Sequence, residues 1–158
     1  MRSLRGGRPM VRIGAPDPSL TAVSGMAAIT ELCDRLGVAQ ALDAAVGPIK
    51  QRDRGCGAGE LLVGLAAAQW AGEDFLVGLD RQRADIAGQK IVPVPGLAST
   101  TAAGLARRIT DEQWRAVEGG TARVTERMLA RVPAARRTRL CTTVTVDLDA
   151  TDVEVYGR

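Results

Sequence analysis

From about residue 20 to Pro133 the apolar residues recur three and four apart in short runs, and glycine or proline interrupts nearly every run. A chain punctuated this way folds as a packet of short helices rather than as a sheet or one long rod. The spacing predicts a helix from Ser24 to Leu36 through Met26, Ile29, Leu32 and Cys33, with Gly37 as its C-terminal cap, and a second from Val38 to Val46. Glu60 opens a strongly apolar helix through Leu61, Leu62, Leu65, Ala68 and Trp70 to Gly72, the expected central helix of the core.

The next helix is expected to start at Glu73-Asp74 and to bury Phe75, Leu76 and Leu79. Ser99 is placed to cap a short helix from Thr100 to Ile109. Thr110, with Gln113 three residues on, has the form of a capping box and begins the longest helix. There Trp114, Val117, Thr121, Val124 and Met128 share the helical spacing, and Gly119-Gly120 invites a bend or fraying before Pro133 ends it.

Beyond Pro133 the expectation is a basic linker, residues 134–140, and then a change of period from 3.6 to 2. Thr142, Val144, Val146 and Leu148 alternate with Cys141, Thr143, Thr145, Asp147 and Asp149, which reads as a strand. Ala150 to Asp152 can turn, and Val153 to Tyr156 can return as a second strand. The expected fold is therefore mainly α. Residues 1–19 are a disordered basic arm, 20–133 a helical domain, 134–140 the linker, and 141–158 the first β-hairpin of a domain whose remainder is missing.

Composition narrows the chemistry. The 158 residues include no histidine, which removes imidazole acid–base relays and His-ligated zinc. The three cysteines, Cys33, Cys56 and Cys141, are far apart and form no C-x-x-C, so neither a disulfide framework nor a zinc ribbon is expected, and a reducing cytoplasm is the default. The basic start lacks a following apolar stretch, and Leu61 to Gly72 is too short to span a bilayer, so no membrane association is expected.

The net charge of +3 is unevenly placed. Residues 101–140 carry nine arginines against Asp111, Glu112, Glu118 and Glu126, whereas residues 141–158 carry four acids and Arg158 alone. Of the basic residues only Lys50 and Lys90 are not arginine, the better fork for phosphate oxygens. Candidate phosphate contacts are the arm (Arg2, Arg5, Arg8, Arg12), Arg52 and Arg54, Arg107 and Arg108, and Arg136, Arg137 and Arg139. Any of these could equally be a solvated face.

The Gly-rich segment from Lys50 to Gly59 could touch phosphates, but it lacks the G-x-x-x-x-G-K-[ST] order of a phosphate cradle and reads more simply as a connector. Residues 74–109 could form a helix-turn-helix with Thr100 to Arg108 as recognition helix, although the segment between the helices exceeds the usual turn.

The run from Val144 to Asp152 carries the sharpest chemistry. Asp147 and Asp149 share one strand face, about 6.5–7 Å apart along it. Carboxylates so close repel, and a divalent cation such as Mg²⁺ is the usual way to hold them ionised. Strand-end acids are also common turn-formers.

Val146-Asp-Leu-Asp-Ala-Thr-Asp-Val-Glu-Val-Tyr-Gly157 resembles the first catalytic segment of bacterial insertion-sequence transposases of the DDE class, in particular the thirteen-eighty family. Leu20-Thr-Ala-Val-Ser-Gly, Ala71-Gly-Glu-Asp-Phe, Leu97-Ala-Ser-Thr-Thr and Leu105-Ala-Arg-Arg resemble further elements of that family, in its order. The resemblance implies a helical N-terminal region that engages the terminal inverted repeats of transposon DNA. It also implies an RNase H-like domain that uses three acids and Mg²⁺ for strand cleavage and transfer.

Asp149 best matches the family's first catalytic, metal-binding aspartate, with Asp147 as fallback. The other two acids are expected beyond Arg158, so the triad is incomplete, no stably bound Mg²⁺ is expected, and the chain should bind DNA without cutting it. The alternatives are a helical module that oligomerises with itself or with full-length transposase, and a decayed gene product without function.

Overall fold

The structure, a computed structural model, describes residues 15, 17–50, 55–143 and 145–146. Among the described residues it contains seven α-helices, one 3-10 turn and no strand. The helices are α1 (Met26–Leu36), α2 (Val38–Val46), α3 (Ala58–Trp70), α4 (Val77–Ala84), α5 (Ser99–Ala106), α6 (Asp111–Ala130) and α7 (Ala134–Thr142), with the 3-10 turn at Gly88–Lys90.

Gly37 separates the first two helices. It adopts the left-handed conformation, φ 60° and ψ 49°, which glycine reaches without steric cost, and its N–H donates to the Asp34 carbonyl at 3.1 Å. The chain thus leaves α1 and enters α2 through one residue, the glycine cap that the sequence predicts.

Helices α2 and α3 pack closely because Gly59 has no side chain. A Cβ there would lie 2.0 Å from the Ala39 carbonyl oxygen. Helix α6 approaches α2 at Gly120, where a Cβ would lie 2.9 Å from Leu42 Cδ2 and 3.3 Å from Ala45 Cβ. No fraying occurs at Gly119-Gly120, and α6 runs as one helix for 20 residues. Packing against α2 offsets the low helix propensity of the two glycines.

The core is aliphatic. Leu61, Leu79, Ala102, Val46, Ile49, Leu105 and Ile109 gather at its centre, and Leu42, Val63 and Val94 form an adjoining cluster. Complete burial of Leu61 contributes about 1.5–3 kcal/mol. As expected, α3 is central, but Trp70 at its end is 58% exposed, and Phe75 and Trp114 are 74% and 44% exposed.

The helix expected at Glu73 starts four residues later, at Val77. Gly72 turns the chain at φ 86°, and the Glu73 N–H donates back to the Ala68 carbonyl at 3.0 Å, so the segment before α4 is consumed in a turn. Leu79 is buried as expected, whereas Phe75 and Leu76 face solvent.

Ser99 is the first residue of α5 rather than its cap. Its N–H and Oγ both donate to the Asp80 carboxylate of α4, at 3.1 and 2.5 Å. The Thr110 box forms as expected: Gln113 N donates to Thr110 Oγ1 at 3.2 Å and Thr110 N donates to Gln113 Oε1 at 3.0 Å.

After Pro133 the structure departs from the sequence expectation. Residues 134–140 belong to α7 rather than to a linker, and Cys141 and Thr142 continue the helix instead of opening a strand. Pro133, extended at ψ 138°, starts this helix as readily as it ends α6, and Thr138 and Thr142 bond their hydroxyls to carbonyls one turn back. The hairpin and RNase H-like start are not seen among the described residues; Val144, residues 147–150 and the second strand lie outside them.

Candidate nucleic-acid interface

Helix α5 divides into two faces by its 3.6 period. Ala102 and Leu105, followed by Ile109, turn into the core, while Thr100, Thr101 and Gly104 are exposed, as are Arg107 and Arg108 just past the end of the helix. At Gly104 a Cβ would meet nothing within 4 Å, so the middle of this face is open. Asp80 pins its start through Ser99, and that hydrogen bond holds the Asp80 carboxyl below its ordinary value. The result is a helix showing two hydroxyls and a gap, with two guanidinium groups just past its C-terminal end.

The link from α4 to α5 is not a helix-turn-helix turn. It occupies residues 85–98, between Ala84 and Ser99, and carries its own 3-10 turn. Asp85 organises its start, accepting from Thr21 Oγ1 at 2.5 Å and from Gly88 N at 2.8 Å. Gln89 ties it to α4, donating through Nε2 to the Gln82 carbonyl at 2.8 Å.

The arginines fall into two groups. Arg35 pairs with Glu31, Arg81 with Glu73 and Arg83 with Asp80. Arg127 and Arg131 reach back to carbonyls at the C-terminus of α1. By contrast Arg107, Arg108, Arg136, Arg137 and Arg139 are exposed and have no ion pair among the described residues. The last three lie on α7, which buries no residue. Arg115 and Arg123 of α6 are exposed too, and charge counting alone had not singled them out. Arg2, Arg5, Arg8, Arg12, Arg52 and Arg54 lie outside the described residues.

The Gly-rich segment behaves as a connector where it is described. The N-terminus of α3 already holds two carboxylates: Asp43 Oδ1 accepts from Gly59 N at 2.7 Å and Glu60 Oε2 accepts from Gly57 N at 3.0 Å. Those amides are therefore not offered to a phosphate. Lys50 draws the connector together, donating to the Gly55 and Cys56 carbonyls at 2.6 and 2.7 Å.

Beside α5 lies an open groove of about 1120 Å³, walled by Lys50, Cys56, Thr101, Leu105, Arg108 and Glu112 among others. Burial, reinforced by the charge of Glu60, raises the Cys56 thiol to about 11, so it stays protonated and inert near neutrality.

Asp149 and Asp147, the proposed metal-binding acids, lie outside the described residues. Elsewhere, among the described residues, no three Asp, Glu or Cys side chains gather to hold an ion. No described helix is long and apolar enough to cross a membrane. No protein-family model matches the chain, and no curated protein or solved structure matches it either.

Proposed function

We propose that the helical region binds DNA, with the exposed face of α5 as the reading surface and the arginines of α7 as backbone contacts. The observation that carries this is the sorting of the arginines: Arg107, Arg108, Arg136, Arg137 and Arg139 are left with no acidic partner among the described residues, while others nearby are spent on Glu31, Glu73, Asp80 and α1. A guanidinium with no internal partner gains most from a phosphate or a guanine edge. Thr100 and Thr101 add short hydroxyls suited to base edges, and the open space at Gly104 lets a base pair approach.

Together with the resemblance of the Asp147–Asp149 segment, this supports reading the helical region as the transposon-end-binding region of a DDE transposase. Strand cleavage belongs to the full-length family, where two further acids would complete a Mg²⁺ site with Asp149. The test is a titration with terminal-inverted-repeat DNA against a scrambled duplex at two salt concentrations. Preferential binding to the repeat, weakening steeply with salt, is expected. Equal binding to both duplexes would remove end recognition, and no binding would remove the DNA reading altogether.

A further inference from the structure

Each α-helix from α1 to α6 buries at least one residue; α7 buries none, and all nine of its residues are exposed. Its own chemistry holds it weakly. Pro133 supplies no side-chain cap, and no acid lies in the first turn, where Arg136 meets the positive end of the helix dipole. Thr138 and Thr142 donate their hydroxyls to the Ala134 and Thr138 carbonyls at 3.1 and 2.9 Å, bonds that add little to a helix. A helix this short is marginal in water, because most helical stability in proteins comes from packing.

Charge adds to the cost. At about 100° per residue, Arg139, Arg136, Leu140 and Arg137 follow one another round one side of α7, and Thr138 lies at the middle of the other. Three guanidinium groups so close repel one another, and none has an acidic partner among the described residues. That separates them from Arg127 and Arg131, which the end of α1 holds. A row of phosphates along the arginine side turns the repulsion into attraction and leaves Thr138 in water.

We infer that α7 is a coupled folding element: it opens and closes in the free chain, and the phosphate backbone of a DNA duplex selects its helical form. This rests on the DNA-binding proposal and adds how the α7 contact is made. Because part of the binding free energy goes into ordering the helix, affinity follows the intrinsic helix propensity of α7. A helix already stable in the free chain would bind with an affinity indifferent to propensity.

Thr138 is the place to test this, being exposed and turned away from the arginines. Thr138→Ala should bind a random-sequence duplex at low salt about fivefold more tightly than Thr138→Gly, as read by fluorescence anisotropy. The urea midpoints of the two variants should coincide, since α7 buries no residue. In the free full chain, trypsin should cut after Arg136, Arg137 and Arg139 before it cuts within α1 to α6, and the duplex should slow those cuts about tenfold or more. Equal affinities of the two variants, or an α7 that resists trypsin in the free chain, overturn the inference and leave the DNA proposal standing if the duplex is bound. Unequal urea midpoints would make α7 part of the cooperative core and overturn it likewise. Failure of the unaltered chain to bind the duplex removes the DNA proposal and this inference with it.

Discussion

Arg127 Nη1 of α6 donates to the Leu36 carbonyl of α1 at 2.7 Å, across 91 residues of chain. The same nitrogen reaches the Gly37 carbonyl at 3.0 Å, so one guanidinium caps the C-terminus of α1 and fastens the first helix to the longest. A helix end otherwise leaves carbonyls without partners, and a cation there also meets the negative end of the helix dipole.

Arg127→Ala should therefore cost about 1–2 kcal/mol of stability. Arg127→Lys should recover only part of it, because an ammonium cannot reproduce the planar fork. Urea unfolding followed by circular dichroism measures both, and an Arg127→Ala midpoint equal to that of the unaltered chain would show the contact to be energetically idle.

Adjacent glycines of α6 should respond in opposite directions. Gly119 has open space around it, so Gly119→Ala should stabilise by about 0.5–1 kcal/mol through helix propensity. Gly120→Ala would push a methyl against Leu42 and Ala45 of α2, and overpacking of about 1–3 kcal/mol should outweigh the propensity gain. Thermal melts of the two single variants decide the matter; two shifts of the same sign would refute it.

Acid should act below the ordinary carboxylate range. Asp80 and Asp85 are each held below the ordinary 3.8, chiefly by hydrogen bonds from Ser99 and Thr21. A lowered folded-state value means the contribution is complete above the unfolded-chain value and is lost as pH falls through the folded one. The unfolding midpoint should be flat between about pH 7 and pH 5 and decline below about pH 4. Asp80→Asn and Asp85→Asn should flatten that decline. With no histidine in the chain, a step between about pH 6 and pH 7 would contradict this reading.

Thiol reactivity should rank by exposure. Cys141 is exposed on α7, whereas burial raises the Cys33 and Cys56 thiols, Cys56 to about 11. Iodoacetamide near neutral pH should label Cys141 alone, with Cys56 following only on unfolding or in strong base, as mass spectrometry of timed samples would show.

The proposed interface makes a quantitative demand. Replacing Arg107 and Arg108 together with alanine should reduce the slope of log affinity against log salt by about 2, roughly one per phosphate contact. Arg81→Ala, which removes a residue already paired with Glu73, should leave the slope unchanged. Equal slopes for all three proteins would remove α5 from the interface.

Local chemistry was legible in the sequence wherever one turn of chain contains both partners. The Thr110–Gln113 box and the Gly37 cap follow from residues three or four apart, and they form as expected. What the sequence does not reveal is mostly long-range. Ser99 is bound by Asp80, Gly59 by Asp43, and the α1 carbonyls by Arg127 and Arg131, all partners distant in sequence. Residues 134–140 read as a basic linker because α7 buries no apolar face, and Cys141 and Thr142 fit a strand period as well as a helical one, so alternation alone does not choose between them.

By itself the sequence determined that this chain is a set of short aliphatic helices with an excess of arginine, since period, punctuation and charge are written residue by residue. Tertiary structure alone decided which arginines are spent and which remain open, because an ion pair or a capped carbonyl depends on what lies across space. It also decided that helices meet closely at Gly59 and Gly120 and that Trp70, Phe75 and Trp114 stand exposed, because both depend on which residues face one another across space.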